Sequence, residues 1–298
     1  MINNRINTLV SKFKKYNIDG YIIPKNDEFF SEYSANDRLK TISNFSGSAG
    51  YSIILKKKNY LFVDGRYTIQ AKIESGENFK IIDYKKILDT KLFRNLKLGI
   101  DPKLFTSNQL KKFFLKYNKI TLVKENLIDK VYNVKRKKDY PFYSLDKKIV
   151  GENYRKKISK VSSFLKKNKL DYLFVTAPEN VAWLLNIRGG DGPNSPIPNS
   201  RLIISKTKKI FLISKKEKCK KLIKNKNISL NQFLDIDKFP NEIFKLKGKK
   251  FIIDNKSCSI FYENLINSKF KIIKREDPIY LLKAIKNKTE IKNMINAH

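Results

Sequence analysis

The sequence predicts an α/β protein of two similar domains, each a mixed β-sheet covered by helices, followed by a terminal helix. Three observations predict it. Helical and strand-like stretches of the first half recur in the second at one nearly constant offset. Short β-branched runs alternate with helical patterns, which favours a sheet with helices on its faces. Pairs of such runs joined by lysine-rich turns read as hairpins, and hairpins make the sheet mixed instead of purely parallel.

In chain order, Ile2, Ile6, Leu9, Val10 and Phe13 fall on one helical stripe. "LVSKFKKYN" then leads into the apolar strand "IDGYIIP", which its proline closes in a turn. The same plan returns as "VSSFLKKNK" and "LDYLFVTAP", with Ile18 and Leu170 standing 152 residues apart. "NFSGSAGYS" (44–52) is glycine-rich but precedes a strand. A phosphate cradle needs its glycines between a strand and a helix, with the lysine and hydroxyl of a P-loop, so a tight turn is expected here. "YSIIL" (51–55) and "YLFVD" (60–64) pair across residues 56–59, and "RLIIS" (201–205) with "IFLIS" (210–214) repeats that hairpin. In "VDGRYTIQA", Asp64 and Gly65 form a turn ahead of a helix start. Arg66 there is either a structural arginine pairing a buried carboxylate or a ligand contact.

"KLGIDPKLFTSNQLKKFF" and "KKFIIDNKSCSIFYENLI" each read as a strand ending in Ile-Asp, then a helix beginning near a Ser/Thr/Asn cap. Ile100 and Ile253 stand 153 apart. The charged, proline-bearing "VKRKKDYPFYSLDKK" interrupts both copies and sets a boundary near residues 135–150. "AWLLNIRGGDGPNSPIPNS" leaves an apolar segment carrying the single tryptophan, Trp183, and becomes a long loop. Gly189, Gly190, Gly192, Pro193, Pro196 and Pro198 surround Arg188, Asp191 and Asn194 in it. Such a loop is either a binding surface presented by a rigid scaffold or an irregular connection. The closing "KAIKNKTEIKNMINAH" reads as one charged helix from Lys283 to His298, with apolar Ala284, Ile285, Ile291, Met294 and Ile295. It stops mid-pattern, and the expectation is a polypeptide that continues.

Composition narrows the function classes. At 298 residues and 41% hydrophobic content, the chain is globular and long enough for two domains that each bury a core. Its start lacks the unbroken apolar stretch of a secretion signal, and no run approaches the ~20 apolar residues of a membrane span. Two cysteines, Cys219 and Cys258, without a CxxC or Cys/His cluster, fit a reduced cytoplasmic setting and give no zinc site. The net charge of +36 raises nucleic acid as a partner. Only nine of 64 basic residues are arginine, however, and the lysines are dispersed with no aromatic-basic motif, so a solvated basic surface is expected instead. There is no HExxH, no GxSxG and no histidine placed for a Ser-His or Cys-His pair. The residues alone carry no recognisable catalytic centre.

Four ordered motifs, "DGYIIPKNDEFFSEYSANDRLKTISNFSGSAGYSIIL", "LFVDGRYTIQA", "VAWLLNIRGGDGPNSPIP" and "DPIYLLKAIKNKTEIKNMINAH", together resemble the amino-terminal portion of the three-domain Xaa-Pro aminopeptidases (aminopeptidase P). The resemblance covers essentially the whole chain. It implies two creatinase-type N-terminal domains, at 1–140 and 141–275, and a segment at 276–298 that leads into a pita-bread catalytic domain missing here. It further implies a metallopeptidase that removes the first residue of peptides with proline second. Two divalent metal ions, usually manganese, would sit on two aspartates, a histidine and two glutamates, all beyond the lead-in helix. This chain is therefore expected to be inactive alone, and His298 to be no ligand. Its expected role is to wall off the catalytic cleft against all but short unstructured peptides and to supply subunit contacts, a homodimer among them. Arg188, Gly189, Gly190 and Asp191 carry over as active-site-facing positions, with Asn194 in the same loop. Asp64, Arg66 and Glu32 carry over as structural or interface positions. Phe29 and Asn194 stand where similar proteins have histidine, so the family's substrate contacts do not transfer there. Two other readings stay open: a stand-alone protein- or peptide-binding module that lost the peptidase domain, and a basic nucleic-acid binder.

Overall fold

The computed structural model describes all residues except 1, 32–35, 89–91, 133–138 and 226. Contacts divide the chain into two units, Met1–Lys137 and Lys138–His298. The first runs α1 (Ile2–Val10), α2 (Phe13–Tyr16), β1 (Gly20–Pro24), α3 (Arg38–Ser43), β2 (Gly50–Leu55), β3 (Asn59–Val63), α4 (Thr68–Ser75), β4 (Lys80–Asp83), β5 (Lys97–Ile100), α5 (Ser107–Phe113), β6 (Lys119–Leu122) and α6 (Leu127–Val131). Its six strands lie in the order β4-β3-β2-β1-β5-β6. β1 is antiparallel to β2 and parallel to β5, so the sheet is mixed, as the hairpin reading requires.

The second unit repeats this plan. It contains β7 (Tyr143–Ser144), α7 (Lys147–Val150), α8 (Tyr154–Lys167), β8 (Tyr172–Val175), α9 (Pro178–Leu185), β9 (Ile187–Arg188), β10 (Arg201–Ser205), β11 (Ile210–Ser214), α10 (Lys216–Lys224), β12 (Phe233–Asp235), α11 (Phe239–Glu242), β13 (Lys250–Ile253), α12 (Ile260–Asn267) and β14 (Lys271–Lys274), then α13 (Pro278–Ala284) and α14 (Lys288–Ala297). Its strand order, β12-β11-β10-β8-β13-β14, has the topology of the first sheet. β8 again lies between an antiparallel and a parallel neighbour.

Each sheet is covered on both faces, which explains strands that are apolar throughout. In β8, Leu173 and Val175 pack with Val161, Leu165 and Leu184 on one side, while Tyr172 and Phe174 pack with Phe251, Phe239 and Tyr262 on the other. The two-residue period of a strand sends alternate side chains to opposite cores. At about 1.5–3 kcal/mol for each fully buried large apolar side chain, these layers dominate the stability of each unit. The two cysteines are free and buried in this packing, and burial pushes the Cys219 thiol up to about 12. No described helix is long and apolar enough to cross a membrane.

Three local expectations are corrected. The terminal segment is two helices, because Asn287 breaks the run: its side chain accepts from Thr289 and Glu290 amides while Glu290 reaches back to the Asn287 amide. That capping box starts α14 anew. Ser259 stands at the N-cap of α12 as its sequence predicts, yet its hydroxyl makes no capping bond, whereas Thr106 and Gln109 form a full capping box on α5. The N-terminal stripe is likewise divided between α1 and α2 at Ser11 and Lys12.

Residues 276–298 pack on the second unit. Asn287 Nδ2 donates to the Val150 carbonyl at 3.0 Å, Asn293 Nδ2 to that of Ile149 at 2.9 Å, and Trp183 Nε1 to Glu290 Oε1 at 2.9 Å. Gly151 permits this approach. Its φ of +74° suits glycine, and a Cβ there would stand 2.4 Å from Asn287 Oδ1. The opposite face stays apolar and wet: Leu281, Ile285, Ile291, Met294 and Ile295 are all exposed.

Candidate functional site

The glycine- and proline-rich loop is positioned by α9 before it and β10 after it. Pro178, in the first turn of α9, has no amide to leave unpaired there, and the helix buries Val181, Leu184 and Leu185. It stops at Asn186, whose left-handed conformation (φ 56°) is one that asparagine tolerates. β9 then pairs with β7 and sets Tyr143 opposite Arg188.

Asn186 joins three elements. Its Oδ1 accepts from Lys157 Nζ at 2.8 Å, its Nδ2 donates to the Glu152 carbonyl at 2.8 Å, and its own carbonyl accepts from the Leu145 amide. Lys157 is 1% exposed, donates also to the Trp183 carbonyl at 2.8 Å, and sits 4.0 Å from the centre of the Trp183 ring. Burial lowers its pKa to about 8, against the pull of Glu290 and Glu152. This knot fixes the end of α9 and hence the direction in which Arg188 leaves it.

Arg188 is half-buried, and its Nη1 donates only to main-chain carbonyls, Ile187 at 2.9 Å and Ala182 at 3.3 Å. Among the described residues no carboxylate forms an ion pair with it. Burial holds the guanidinium below its usual range. Gly189 donates to the Pro196 carbonyl, and a Cβ on it would stand 2.8 Å from the Phe142 ring and 2.9 Å from Pro198 Cα. No side chain fits there. Gly190 is exposed beside Tyr140.

Asp191 braces the loop from within. Its Oδ1 lies 2.5 Å from Lys218 Nζ, with the two side chains 6% and 11% exposed, and its Oδ2 accepts from the Asn199 amide at 2.7 Å. Asn194 is exposed. The structure thus brings Arg188, Gly189, Gly190, Asp191 and Asn194 onto one loop, uses Asp191 and Gly189 to hold its shape, and leaves Arg188 with main-chain partners only.

In the first unit, Asp64 caps the short turn Gly65–Tyr67 and accepts from Arg66 twice, at its amide (3.0 Å) and Nε (2.9 Å). Those bonds hold the Asp64 carboxyl below its usual range. A half-exposed neighbour two residues away thus pairs with Arg66, because the Asp-Gly turn folds the two together. Glu32 lies outside the described residues. Phe29 is half-buried, and its amide donates to the buried Asp27 at 2.9 Å.

Strand order reverses between β1 and β5 and between β8 and β13, and the carboxyl ends of such strands are where open α/β sheets bind ligands. Here both crevices are filled by helix anchors. Asp101, just past β5, accepts from Asn126, the N-cap of α6, at 3.0 Å; Asp254, just past β13, accepts from the amide of Asp277, the N-cap of α13, at 3.3 Å. Among the described residues no group of three or more His, Cys, Asp or Glu side chains could hold a metal ion.

Sequence reasoning missed Lys157, Asn186 and Lys218. Lys157 was readable: it shares the stripe of Val161 and Leu165 at four-residue spacing, so a cation stood on a core face. Lys218 was not, since its partner Asp191 is 27 residues away.

Two sequence profiles, both described as Creatinase/Prolidase N-terminal domain, match this chain at residues 5–130 and 133–290. Xaa-Pro aminopeptidase 1 of Dictyostelium discoideum is 31% identical over 100% of this chain and 51% of its own length. Xaa-Pro aminopeptidase ApepP of Drosophila melanogaster is 28% identical over 94% of this chain and 49% of its own. The chain spans about half the length of the curated relatives it matches. The crystal structure of an X-prolyl aminopeptidase from Caenorhabditis elegans, described as a cytosolic enzyme with a di-nuclear active site, superposes with a TM-score of 0.85 over 100% of this chain and 54% of that one, at 24% identity. That likeness is one of fold.

Proposed function

Because this chain belongs to the Creatinase/Prolidase N-terminal domain family, we propose that it forms the non-catalytic N-terminal part of a cytoplasmic, metal-dependent Xaa-Pro aminopeptidase. In this reading residues 1–140 and 141–275 are its two N-terminal domains. Residues 276–298 lead into a catalytic domain that packs on the exposed apolar face of α13 and α14. The substrates are peptides with proline second, and two divalent ions, manganese in this proposal, activate the hydrolysis. The residues described here offer no cluster for such a pair, so no chemical step is assigned to them. Their work is to bind, orient and exclude.

The observation that carries the reading to a residue is Arg188. A half-buried guanidinium bonded only to two carbonyls retains donors for an acceptor that the chain itself does not provide. The lysine and tryptophan knot beneath it keeps it from collapsing onto a neighbour. In the intact enzyme Arg188 faces the peptide, where a charge-assisted hydrogen bond is worth about 1.5–3 kcal/mol. Arg188→Ala in the intact enzyme is then expected to slow hydrolysis by roughly 10- to 150-fold in kcat/KM while the melting temperature of the 298-residue chain stays near that of the parent. A large melting shift in the chain with unchanged kinetics would make Arg188 a structural residue of the second unit and sink its substrate role.

A further inference from the structure

We propose that Lys157 is a positioning residue for Arg188: it latches the last turn of α9, and this latch opens, whereas its counterpart in the first unit stays shut. The latch is a property of this chain; its use, to orient Arg188 toward a peptide, rests on the aminopeptidase reading.

The internal repeat supplies the counterpart. Arg5 in α1 and Lys157 in α8 stand 152 residues apart, the spacing of Ile18 and Leu170. Each reaches the helix that follows the central strand of its sheet, α3 between β1 and β2, α9 between β8 and β10. Both helices end on a left-handed asparagine, Asn44 (φ 63°) and Asn186 (φ 56°). Arg5 Nη1 donates to Asn44 Oδ1 at 3.0 Å and to the Thr41 carbonyl at 2.7 Å. Lys157 Nζ donates to Asn186 Oδ1 and to the Trp183 carbonyl, each at 2.8 Å, so the acceptors are again the terminal asparagine and the carbonyl three residues before it. One cation ties off the end of the same helix in both units.

The two cations differ in the water they keep. Arg5 is half-buried, and its guanidinium never gives up its charge. Lys157 is 1% exposed, and beyond its two oxygens it meets the face of the Trp183 ring, 4.0 Å away. The charged groups around it are Glu290 from α14, Glu152 ahead of α8, Arg188 from β9 and Lys160 on its own helix. Burial brings its pKa from 10.5 to about 8; the two glutamates oppose that fall, and Arg188 and Lys160 add to it. A neutral amine keeps two N–H groups, enough for both oxygens, so loss of the proton leaves the latch shut. The ammonium regains its hydration by swinging out. Room for it lies alongside, in a cleft of about 430 Å³ between α8 and the α13–α14 connection, with Trp183, Glu152, Asn153, Asn287 and Glu290 on its wall. Once it has left, the last turn of α9 frays and Arg188 loses its fixed course. The open form holds its proton up to about pH 10.5 and the shut form only to about pH 8, so opening is favoured by acid and falls about tenfold between pH 7 and pH 9.

Two measurements on the 298-residue chain test the latch. Trp183 is the single tryptophan, so its emission reports the amine at its face. That emission is expected to titrate with a midpoint of about 8, and not to titrate there in Lys157→Met or in Lys157→Arg, which copies the first unit. Hydrogen exchange of residues 184–188, corrected for the intrinsic effect of pH, is expected to slow about tenfold from pH 7 to pH 9 in the parent and to keep one value in both variants. In the intact enzyme, Lys157→Met is expected to raise KM for a Xaa-Pro peptide about fivefold or more with kcat within about twofold, and Lys157→Arg to recover most of that loss. Emission without that midpoint, the same midpoint in Lys157→Met, or protection that does not rise with pH would each overturn the latch. Hydrolysis slowed by Arg188→Ala while Lys157→Met leaves KM unchanged would overturn the positioning role and leave the substrate role of Arg188 standing.

Discussion

Arg38→Met is expected to destabilise the first unit by about 3 kcal/mol, the lower end of the range for removing one partner of a buried ion pair. Arg38 is 3% exposed and donates to both oxygens of Asp129, at 2.8 and 2.7 Å, and to Glu28 at 2.7 Å. Asp27 and Asp101 stand in the same field, where burial raises their pKa values and Arg38 opposes the rise. Without the guanidinium, four carboxylates share the carboxyl end of β1 and β5 with no central cation. Asp129 and Glu28 keep part of their hydration, which sets the loss at the lower end. Urea unfolding followed by circular dichroism reads the change, while fluorescence of Trp183, in the second unit, is expected to keep its midpoint. A loss under about 1 kcal/mol would mean that the network is surface decoration.

Asp277 gives the second large effect, and its sign is opposite to ordinary acid unfolding. It is 2% exposed, caps the Ile279 amide at 2.9 Å and accepts from Asn180 at 2.9 Å, with Asp254 beside it and Lys283, Tyr280 and Glu179 further out. Burial raises its pKa to about 6 from 3.8. A group raised in the folded state binds its proton more tightly there than when unfolded. Its contribution is therefore full below about pH 4 and is lost as pH rises through about 6, a change of about 3 kcal/mol. Asn180 Oδ1 is buried without a partner and supplies an acceptor for that proton once the amide turns. The stability of the parent relative to Asp277→Asn, read by Trp183 fluorescence, is expected to fall by that amount between pH 4 and pH 7. A difference that does not change with pH would place the proton elsewhere.

These two networks also show where sequence reading stops. The repeat, the hairpins and the Thr106 cap were legible because periodicity and caps are local signals. The bidentate pairing of Arg38 with Asp129 was not, since 91 residues separate them. The break in the terminal segment was legible in principle: Asn287 and Glu290 spell a capping box, but the apolar spacing from Ala284 to Ile295 hid it. The loop was found by its glycine and proline content, and its residues were singled out by the family resemblance. Composition did not reveal that Asp191 turns inward to Lys218 while Arg188, three residues before it, keeps only carbonyl partners.

The most direct test of a non-catalytic role is the turnover of a Xaa-Pro peptide by the purified 298-residue chain with manganese in excess. No turnover above the uncatalysed rate is expected in the proposed reading, because among the described residues no group of three or more His, Cys, Asp or Glu side chains could hold a metal ion. Manganese-dependent release of the first residue, co-purifying with the chain and abolished by removing the metal, would contradict that role.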